Sequence, residues 1–280
     1  MPFSREKMRT YEQARVPFLR WAGSKRKMLP VLASVLPPDE FDRYVEPFCG
    51  SACLFFHLAP RRALLADINR ELVNTYRQVK ARHADVHEAL RGIRGKSAEA
   101  FYRVRRQDPS DLTRVRRAAR FIYLNRLCFN GLYRTNMKGE FNVPFGGGSK
   151  VGDFPTLGEL QAASTSLRGA RLMGAPFEEA LDQVVPGDFV YLDPPYSISN
   201  RRVFNNYSND IFGIENLKRL RKDLRRLDRL GVPFLLSYGL SSEALELSKG
   251  FRVRDASVQR QISGFAANRR RARELLISNY

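Results

Sequence analysis

Short runs of apolar residues alternate with longer amphipathic stretches over most of the chain. The apolar and period-2 runs predict seven β-strands, at Tyr44–Glu46, Ala63–Asp67, Arg171–Met173, Asp188–Asp193, Val232–Ser237, Phe251–Asp255 and Glu274–Ile277. Helical patterns lie between most of these runs, as parallel βαβ units require. The chain is therefore expected to adopt an α/β fold.

The stretch from Asp67 to Arg171 interrupts this alternation. It is far longer than one crossover connection requires, is rich in arginine and ends in a glycine-heavy run at residues 145–149. We therefore expect a mainly helical module, residues 75–154, inserted into an α/β domain built from residues 1–74 and 155–280.

Two of the predicted helices are strongly basic. Leu217–Leu230 places its leucines on one face and its lysines and arginines on the others. This pattern favours a helix that packs on the sheet through its leucines and exposes its charges. Arg114–Arg126 lies within the expected insert, and there we expect the arginines to face phosphate groups.

The net charge is unusual for an otherwise ordinary globular composition. Lys and Arg number 48 against 29 Asp and Glu, which gives +19, and the sequence pI is near 10.3. Because neutralising phosphates releases condensed counterions, a surplus this large favours a polyanionic partner over a merely solubilising surface.

Several classes of protein are disfavoured. No apolar run approaches the ~20 residues of a membrane helix, and residues 1–18 lack the pattern of a secretory signal. Three cysteines cannot form a disulfide framework and suit a reducing compartment, so we expect a cytoplasmic protein. His83 and His87 stand one helical turn apart, but a third ligand is missing nearby, so we expect no metal site.

The tetrapeptide DPPY at residues 193–196 is the most informative motif. It follows an apolar run and so lies at the carboxyl end of a predicted strand, where open α/β sheets bind ligands. A carboxylate and a carbonyl fixed by two prolines can accept both hydrogen bonds of an amino group on a planar ring, and tyrosine offers a flat face. Such bonds free the nitrogen lone pair for attack. The alternative is a proline-rich turn without a chemical role.

A second candidate site begins where the first predicted strand enters a tight turn, EPFCG at residues 46–50. Asp67 ends the second predicted strand, the usual position of an acid that binds ribose hydroxyls. The turn lacks the GxGxxG spacing that a pyrophosphate requires, which disfavours NAD and FAD. A nucleoside cofactor without phosphates, such as S-adenosylmethionine, is expected instead. Glu46 and Asp67 could equally be capping or surface acids.

These motifs resemble, in residues and in order, those of the Dam-type DNA adenine-N6 methyltransferases, and the resemblance covers most of the chain. WAGSK at 21–25 is similar to the family's N-terminal cofactor motif, EPFCG at 46–50 to its first-strand motif, and ADIN at 66–69 to its second-strand acid. DPPY at 193–196 matches its catalytic tetrapeptide, and the run at 121–146 resembles its recognition hairpin.

The resemblance implies a Rossmann-like S-adenosylmethionine-dependent methyltransferase fold, with the insert as a DNA target-recognition domain that carries a β-hairpin. It implies site-specific transfer of a methyl group from S-adenosylmethionine to N6 of an adenine flipped out of double-stranded DNA. Such an enzyme would be cytoplasmic and associated with the nucleoid. A non-catalytic DNA-binding factor on the same fold and an RNA adenine methyltransferase are the alternatives.

The resemblance also implies three groups of site residues. The catalytic group is Asp193, Pro194, Pro195 and Tyr196. The cofactor group is Trp21, Lys25, Glu46, Pro47, Phe48, Gly50, Asp67, Phe177 and Asp193. The DNA group is Arg20, Arg126, Phe129, Asn130, Leu132, Arg134, Asn136 and Pro144.

Within the DNA group, the resemblance gives three residues particular roles. Phe129 would wedge into the base stack, and Asn130 would meet the orphaned partner base. Arg134 would bind a guanine, although a phosphate contact is the alternative. Asn130-Gly131 is also typical of a tight hairpin turn.

The chain departs from the family pattern at two positions. Ala52 replaces a glycine of the first-strand motif, and strain is expected there if the position requires a positive φ. Ser24 stands where the N-terminal motif often has glycine. Neither change removes a group that the reaction needs.

Overall fold

The computed structural model describes residues 17–147, 153–195, 212–259 and 271–280, which form one seven-stranded sheet in the order β3-β2-β1-β4-β5-β7-β6. The strands are β1 Arg43–Glu46, β2 Ala63–Ala66, β3 Ala170–Met173, β4 Asp188–Leu192, β5 Phe234–Gly239, β6 Arg252–Gln259 and β7 Arg271–Ser278. The pairs among β1–β5 are parallel, and β7 is antiparallel to both β5 and β6. The expected α/β class and the parallel-dominated sheet are confirmed.

The described helices cover both faces of the sheet. They are α1 Leu29–Ala33, α2 Cys53–Leu58, α3 Arg70–Arg91, α4 Ala98–Arg105, α5 Arg114–Leu127, α6 Leu157–Leu167, α7 Phe177–Leu181, α8 Ile214–Arg229 and α9 Ser242–Ser248. Within the described residues, no helix combines the length and the apolar character that crossing a membrane requires.

Each predicted strand overlaps an observed one, although several bounds differ. The strand predicted from Val232 begins instead at Phe234, because Pro233 has no N–H to donate to a ladder. The strand predicted to end at Asp255 continues to Gln259, because β6 pairs with β7 along its whole length.

Side chains along the central strands alternate between two apolar cores. Tyr44 and Phe189 point into one core, which α1–α6 cover, while Val45 and Val190 point into the other, which α7–α9 cover. These four side chains are completely buried. Because successive strand residues face opposite sides, both faces of a central parallel strand must be apolar, which explains its continuous hydrophobic run.

Helix α3 passes through residue 75, where we expected the inserted domain to begin. Its N-cap is Asn69, whose side chain accepts a hydrogen bond from the backbone N–H of Leu72 at 3.1 Å. Tyr76 on α3 and Ile122 on α5 belong to the same apolar core as the strand residue Tyr44. The expected insert therefore shares a core with the sheet, and its division at residues 75 and 154 stays a prediction.

The packing interpretation of the basic stretch Leu217–Leu230 is confirmed for most of its length. Leu217, Leu220, Leu224 and Leu227 are buried on α8. Leu230 is 42% exposed because it follows the last helical residue and no longer lies on the buried face.

Candidate active site

A cavity of about 640 Å³ opens at the carboxyl ends of β1, β2 and β4. The residues expected to bind the cofactor all line it: Trp21, Lys25, Glu46, Pro47, Phe48, Gly50, Asp67, Phe177 and Asp193. Pro194 and Pro195 line it as well, whereas Tyr196 lies outside the described residues. The fold thus brings together expected site residues up to 174 positions apart, from Trp21 to Pro195, while their individual roles stay predictions.

The turn after β1 is fixed by polar contacts on both sides. The Gly50 N–H donates to Asp67 Oδ2 at 3.0 Å, and the Tyr76 hydroxyl donates to the Gly50 carbonyl at 2.7 Å. Gly50 has a φ of +46°, and a Cβ there would lie 2.8 Å from Nε1 of Trp21. Glycine is therefore required both by the backbone conformation and by the close approach of the indole.

The two departures from the family pattern have different structural consequences. Ala52 adopts the left-handed conformation, with φ 51° and ψ 40°, so the strain expected for a positive φ is present. Ser24 has a φ of −48°, which any residue can adopt. Its hydroxyl is hydrogen-bonded to the Cys53 thiol, with the two atoms 2.9 Å apart, and accepts a bond from the Ser51 hydroxyl at 3.3 Å.

Asp67 contributes a carboxylate to the cavity wall. Its Oδ1 accepts a hydrogen bond from the Asn69 N–H at 2.9 Å, and its Oδ2 accepts the Gly50 bond. Burial raises the pKa of Asp67, and these two N–H donors oppose the rise. Asp67 therefore fastens the β1 turn to the start of α3, and each oxygen retains a second lone pair with which to accept from a ligand.

Glu46 is a buried acid rather than a surface one. The Tyr44 hydroxyl donates to its Oε2 at 3.0 Å. Burial raises the pKa of Glu46 well above its ordinary value; the Tyr44 bond lowers it, and the negative charges of Asp193 and Asp67 raise it further. A cationic ligand in this cavity would favour the ionised form of Glu46.

Asp193 follows β4 and forms an ion pair with Lys25. The Lys25 ammonium lies 2.6 Å from Asp193 Oδ1 and 3.7 Å from Oε2 of Glu274 on β7. Lys25 is 5% exposed and Glu274 2%, whereas Asp193 is 20% exposed. Asp193 thus lines the cavity while its Oδ1 accepts a hydrogen bond from the buried Lys25 ammonium.

Aromatic side chains form two further parts of the wall. Phe48 stacks on Phe177 with ring centroids 5.0 Å apart, and Phe212 contacts Phe48 edge-on at 5.8 Å. Trp21 stacks on Tyr133 at 6.3 Å with an interplanar angle of 14°. Flat apolar walls of this kind suit a heterocyclic ligand.

Four residues at or behind the cavity wall are not among the predicted site residues: Glu274, Tyr133, Phe212 and Tyr44. Glu274 directly precedes the apolar run 275–277, and an acid in a buried strand needs a partner. This position is the sequence pattern that could have indicated a role for Glu274. Tyr133 lies inside the run that resembles the recognition hairpin, between the predicted DNA-binding residues Leu132 and Arg134.

The expected recognition hairpin has its turn at a different place from the one predicted. Asn130 and Gly131 have φ of 53° and 64°, as a type I′ turn requires. However, the antiparallel bridges join Cys128 to Phe145 and Thr135 to Phe141, and do not flank this turn directly. The inner bridge instead closes over residues 136–140, where the Gly139 N–H donates to the Asn136 carbonyl at 2.9 Å.

Phe129, Leu132 and Pro144 lie on the exposed surface of this loop. Phe129 is 44% exposed and Leu132 36% exposed. Asn136 is engaged within the loop, because its Nδ2 donates to Glu140 Oε2 at 2.7 Å while its Oδ1 accepts two backbone N–H bonds.

Arg134 is half-buried and held by one neighbour. Its Nε donates to Asn142 Oδ1 at 2.7 Å, and its Nη2 lies 3.5 Å from the Asn142 carbonyl. The Arg134 guanidinium is therefore oriented before any ligand arrives.

Arg20 and Arg126 connect the segment before the first helix to α5. Arg126 Nη2 donates to the Phe18 carbonyl at 2.6 Å, and Arg20 Nη1 donates to the Arg126 carbonyl at 3.3 Å. Burial lowers the pKa of Arg126. The DNA contacts expected of these two arginines stay predictions.

The expectation that the arginines of α5 face phosphate groups is wrong for Arg120. Arg120 is 7% exposed, and its Nε donates to the Val104 carbonyl at 3.1 Å. Arg117 forms an ion pair with Glu71. Every residue of α5 from Ala118 to Asn125 is buried, so a side chain there is enclosed whatever its charge.

Among the described residues, no group of three or more His, Cys, Asp or Glu side chains is placed to hold a metal ion.

The chain matches one protein family over most of its length. A family profile described as a D12 class N6 adenine-specific DNA methyltransferase matches residues 21–262. The chain is 35% identical to the Type II methyltransferase M1.LlaDCHI of Lactococcus lactis subsp. cremoris over 272 residues, which cover 94% of this chain and 95% of the relative.

Two further relatives are similar at almost the same level. The Type II methyltransferase M.MjaIII of Methanocaldococcus jannaschii is 33% identical over 286 residues, 94% of this chain and 99% of the relative. The DNA adenine methylase of Escherichia coli K12 is 32% identical over 263 residues, 92% of this chain and 93% of the relative. These similarities do not favour a non-catalytic DNA-binding factor or an RNA methyltransferase.

Proposed function

The chain belongs to the D12 class of N6 adenine-specific DNA methyltransferases, and from this premise we propose how its residues divide the reaction. The cavity at the carboxyl ends of β1, β2 and β4 binds S-adenosylmethionine. Asp193, at the rim of that cavity, acts on the amino group of an adenine flipped out of double-stranded DNA. The observation that carries this proposal is the meeting of Glu46, Asp67 and Asp193 in one cavity.

The cavity suits this cofactor in size and chemistry. Its volume of about 640 Å³ lies within the roughly 300–1,000 Å³ of small-molecule sites. Glu46 would face the positive charge of the sulfonium and ammonium groups, and Asp67 would accept from the ribose hydroxyls. Asn69 Nδ2, also at the wall, is buried without a hydrogen-bond partner among the described residues, so it can donate to a ligand.

The proposed catalytic role of the tetrapeptide is positioning. When bound, S-adenosylmethionine supplies a methyl group on a sulfonium, which is already a good leaving group. Asp193 and the Pro194 carbonyl would accept the two N–H bonds of adenine N6 and hold its lone pair toward that methyl group. Asp193 would also receive the proton that N6 loses as the carbon–nitrogen bond forms and the carbon–sulfur bond breaks. Tyr196 would stack on the flipped ring.

The loop between Cys128 and Phe145 is the proposed contact with DNA. Phe129 and Leu132 are exposed apolar side chains next to a turn, which suits insertion into a base stack. Arg134 is oriented by Asn142 and can present its planar fork to guanine O6 and N7. Residues 75–154 would act with this loop as the target-recognition domain, and the net charge of +19 would favour the phosphate backbone. A cytoplasmic location belongs to the same proposal.

Replacing Asp193 with alanine tests the division of roles. Asp193→Ala should abolish methyl transfer from labelled S-adenosylmethionine to DNA, while cofactor affinity stays within about tenfold of the wild type. A variant that kept more than a few per cent of the wild-type single-turnover rate would assign the catalytic acid elsewhere.

A further inference from the structure

We propose that Glu274 is a positioning residue for methyl transfer, which acts by holding the Lys25 ammonium where it fixes one oxygen of Asp193. The inference rests on the proposed role of Asp193 as the acceptor of the target amine. Glu274 lies far from the tetrapeptide in the sequence and on a different strand.

The buried contacts form a chain from β5 to the cavity. The Ser237 hydroxyl on β5 donates to Glu274 Oε2 at 3.0 Å, and the same oxygen lies 3.7 Å from the Lys25 ammonium. The ammonium donates in turn to Asp193 Oδ1 at 2.6 Å. Ser237 is 0% exposed, Glu274 2% and Lys25 5%, so solvent screens these contacts little.

The reversed direction of β7 explains how Glu274 reaches this place. Glu274 pairs with Gly239, the last residue of β5, and therefore lies at the carboxyl end of the parallel strands although it comes early in its own strand. The residues that follow it, Leu275, Leu276 and Ile277, are buried in the cores. An ionised carboxylate next to these apolar residues destabilises the fold unless it is paired with a cation or hydrogen-bonded.

Stability alone gives little reason for this acid. Replacing a buried ion pair with apolar residues of similar volume is often neutral or stabilising, whereas a charge at a reacting site has a specific use. Here Glu274 and Asp193 both contact the Lys25 ammonium, at 3.7 and 2.6 Å, and together hold it on Asp193 Oδ1. Without the Glu274 charge the ammonium could shift across the Asp193 carboxylate and compete with the amino group for its second oxygen.

The decisive test combines Glu274→Gln with removal of Lys25. Glu274→Gln keeps the size of the side chain and removes its charge. It should lower the single-turnover rate of methyl transfer by about ten- to a hundredfold, the range expected for a displaced reacting group, while cofactor affinity changes less than about threefold. In a Lys25→Met background the same change should have almost no further effect, because Glu274 acts through Lys25.

The matched control is Asp188→Asn, which neutralises another buried acid. Asp188 lies at the start of β4, is 2% exposed and pairs with Arg43 at 2.6 Å, away from the cavity. This variant should lower the melting temperature but leave the rate unchanged. If Glu274→Gln fails to fold, Ser237→Ala, which removes the hydroxyl that anchors Glu274, should lower the rate in the same direction.

The outcomes separate this inference from the proposed function. The positioning role alone would be overturned by full activity of Glu274→Gln, or by an equal loss of rate when Glu274→Gln is added to Lys25→Met. If Glu274→Gln does not fold, full activity of Ser237→Ala would overturn it. A wild-type chain that transfers no methyl group to DNA would refute the proposed function, and the positioning role with it.

Discussion

Replacing Asp67 with alanine should weaken cofactor binding much more than it slows methyl transfer. In the structure the Asp67 carboxylate faces the cavity and also accepts the N–H groups of Gly50 and Asn69. The change therefore removes a proposed ribose contact and loosens the turn that shapes the pocket.

The two effects have different magnitudes. Loss of a charge-assisted hydrogen bond to the ribose costs about 1.5–3 kcal/mol, which raises the dissociation constant by roughly 10- to 150-fold. The Gly50 and Asn69 N–H groups would also lose an acceptor, at about 1 kcal/mol each where water from the cavity can replace it. We thus expect a melting temperature a few degrees below that of the wild type.

Tryptophan fluorescence is a suitable assay because the chain contains one tryptophan, Trp21, and it lines the cavity. A titration with S-adenosylmethionine would give the affinity, and single-turnover transfer at saturating cofactor would give the rate. Asp188→Asn serves as the control, since it disturbs a buried acid at the other end of β4. Unchanged cofactor affinity in Asp67→Ala would refute the ribose contact.

Three further predictions test other parts of the site. Gly50→Ala would place a Cβ 2.8 Å from Trp21 at a backbone position with left-handed φ, so it should raise the KM for the cofactor and shift the Trp21 emission. A wild-type KM and emission spectrum would mean that the turn adapts to the methyl group. Burial raises the pKa of Glu46, so above pH 4.5 the folded state binds more protons than the unfolded state. The free energy of unfolding should therefore decrease as the pH rises from 4.5 toward the raised pKa of Glu46. Thermal unfolding of Glu46→Gln should show a smaller decrease over the same pH range. Arg134→Ala should cost about 1–3 kcal/mol on the preferred DNA site and relax preference at one base pair, whereas a uniform loss of methylation across singly substituted sites would indicate a phosphate contact.

Local patterns were sufficient to predict the strands and many of the residues that line the cavity. The apolar runs that became β1, β2 and β4 are buried on both faces, and such strands are continuous in sequence. Asp67 and Asp193 directly follow two of those runs, so topology alone brings them to one edge of the sheet.

Features that depend on distant contacts could not be predicted in this way. No local pattern links Lys25 to Glu274, because their proximity follows from the insertion of β7 between β5 and β6. Arg120 was misjudged since its burial is set by the elements packed around α5 rather than by its own charge. Asn130-Gly131 forms a tight turn as predicted, but the residues on its two sides do not pair with each other as strands. The hairpin therefore closes further along the chain, beyond the Thr135–Phe141 bridge.

We propose that this chain methylates adenine N6 in double-stranded DNA through Asp193. The most direct test is to incubate unmethylated duplex DNA with the protein and S-adenosylmethionine, and then to map modified bases by sequencing. We expect N6-methyladenine at one short sequence with the wild type and none with Asp193→Ala. Unmodified DNA with the folded, cofactor-binding wild type, or the same modification pattern with Asp193→Ala, would contradict it.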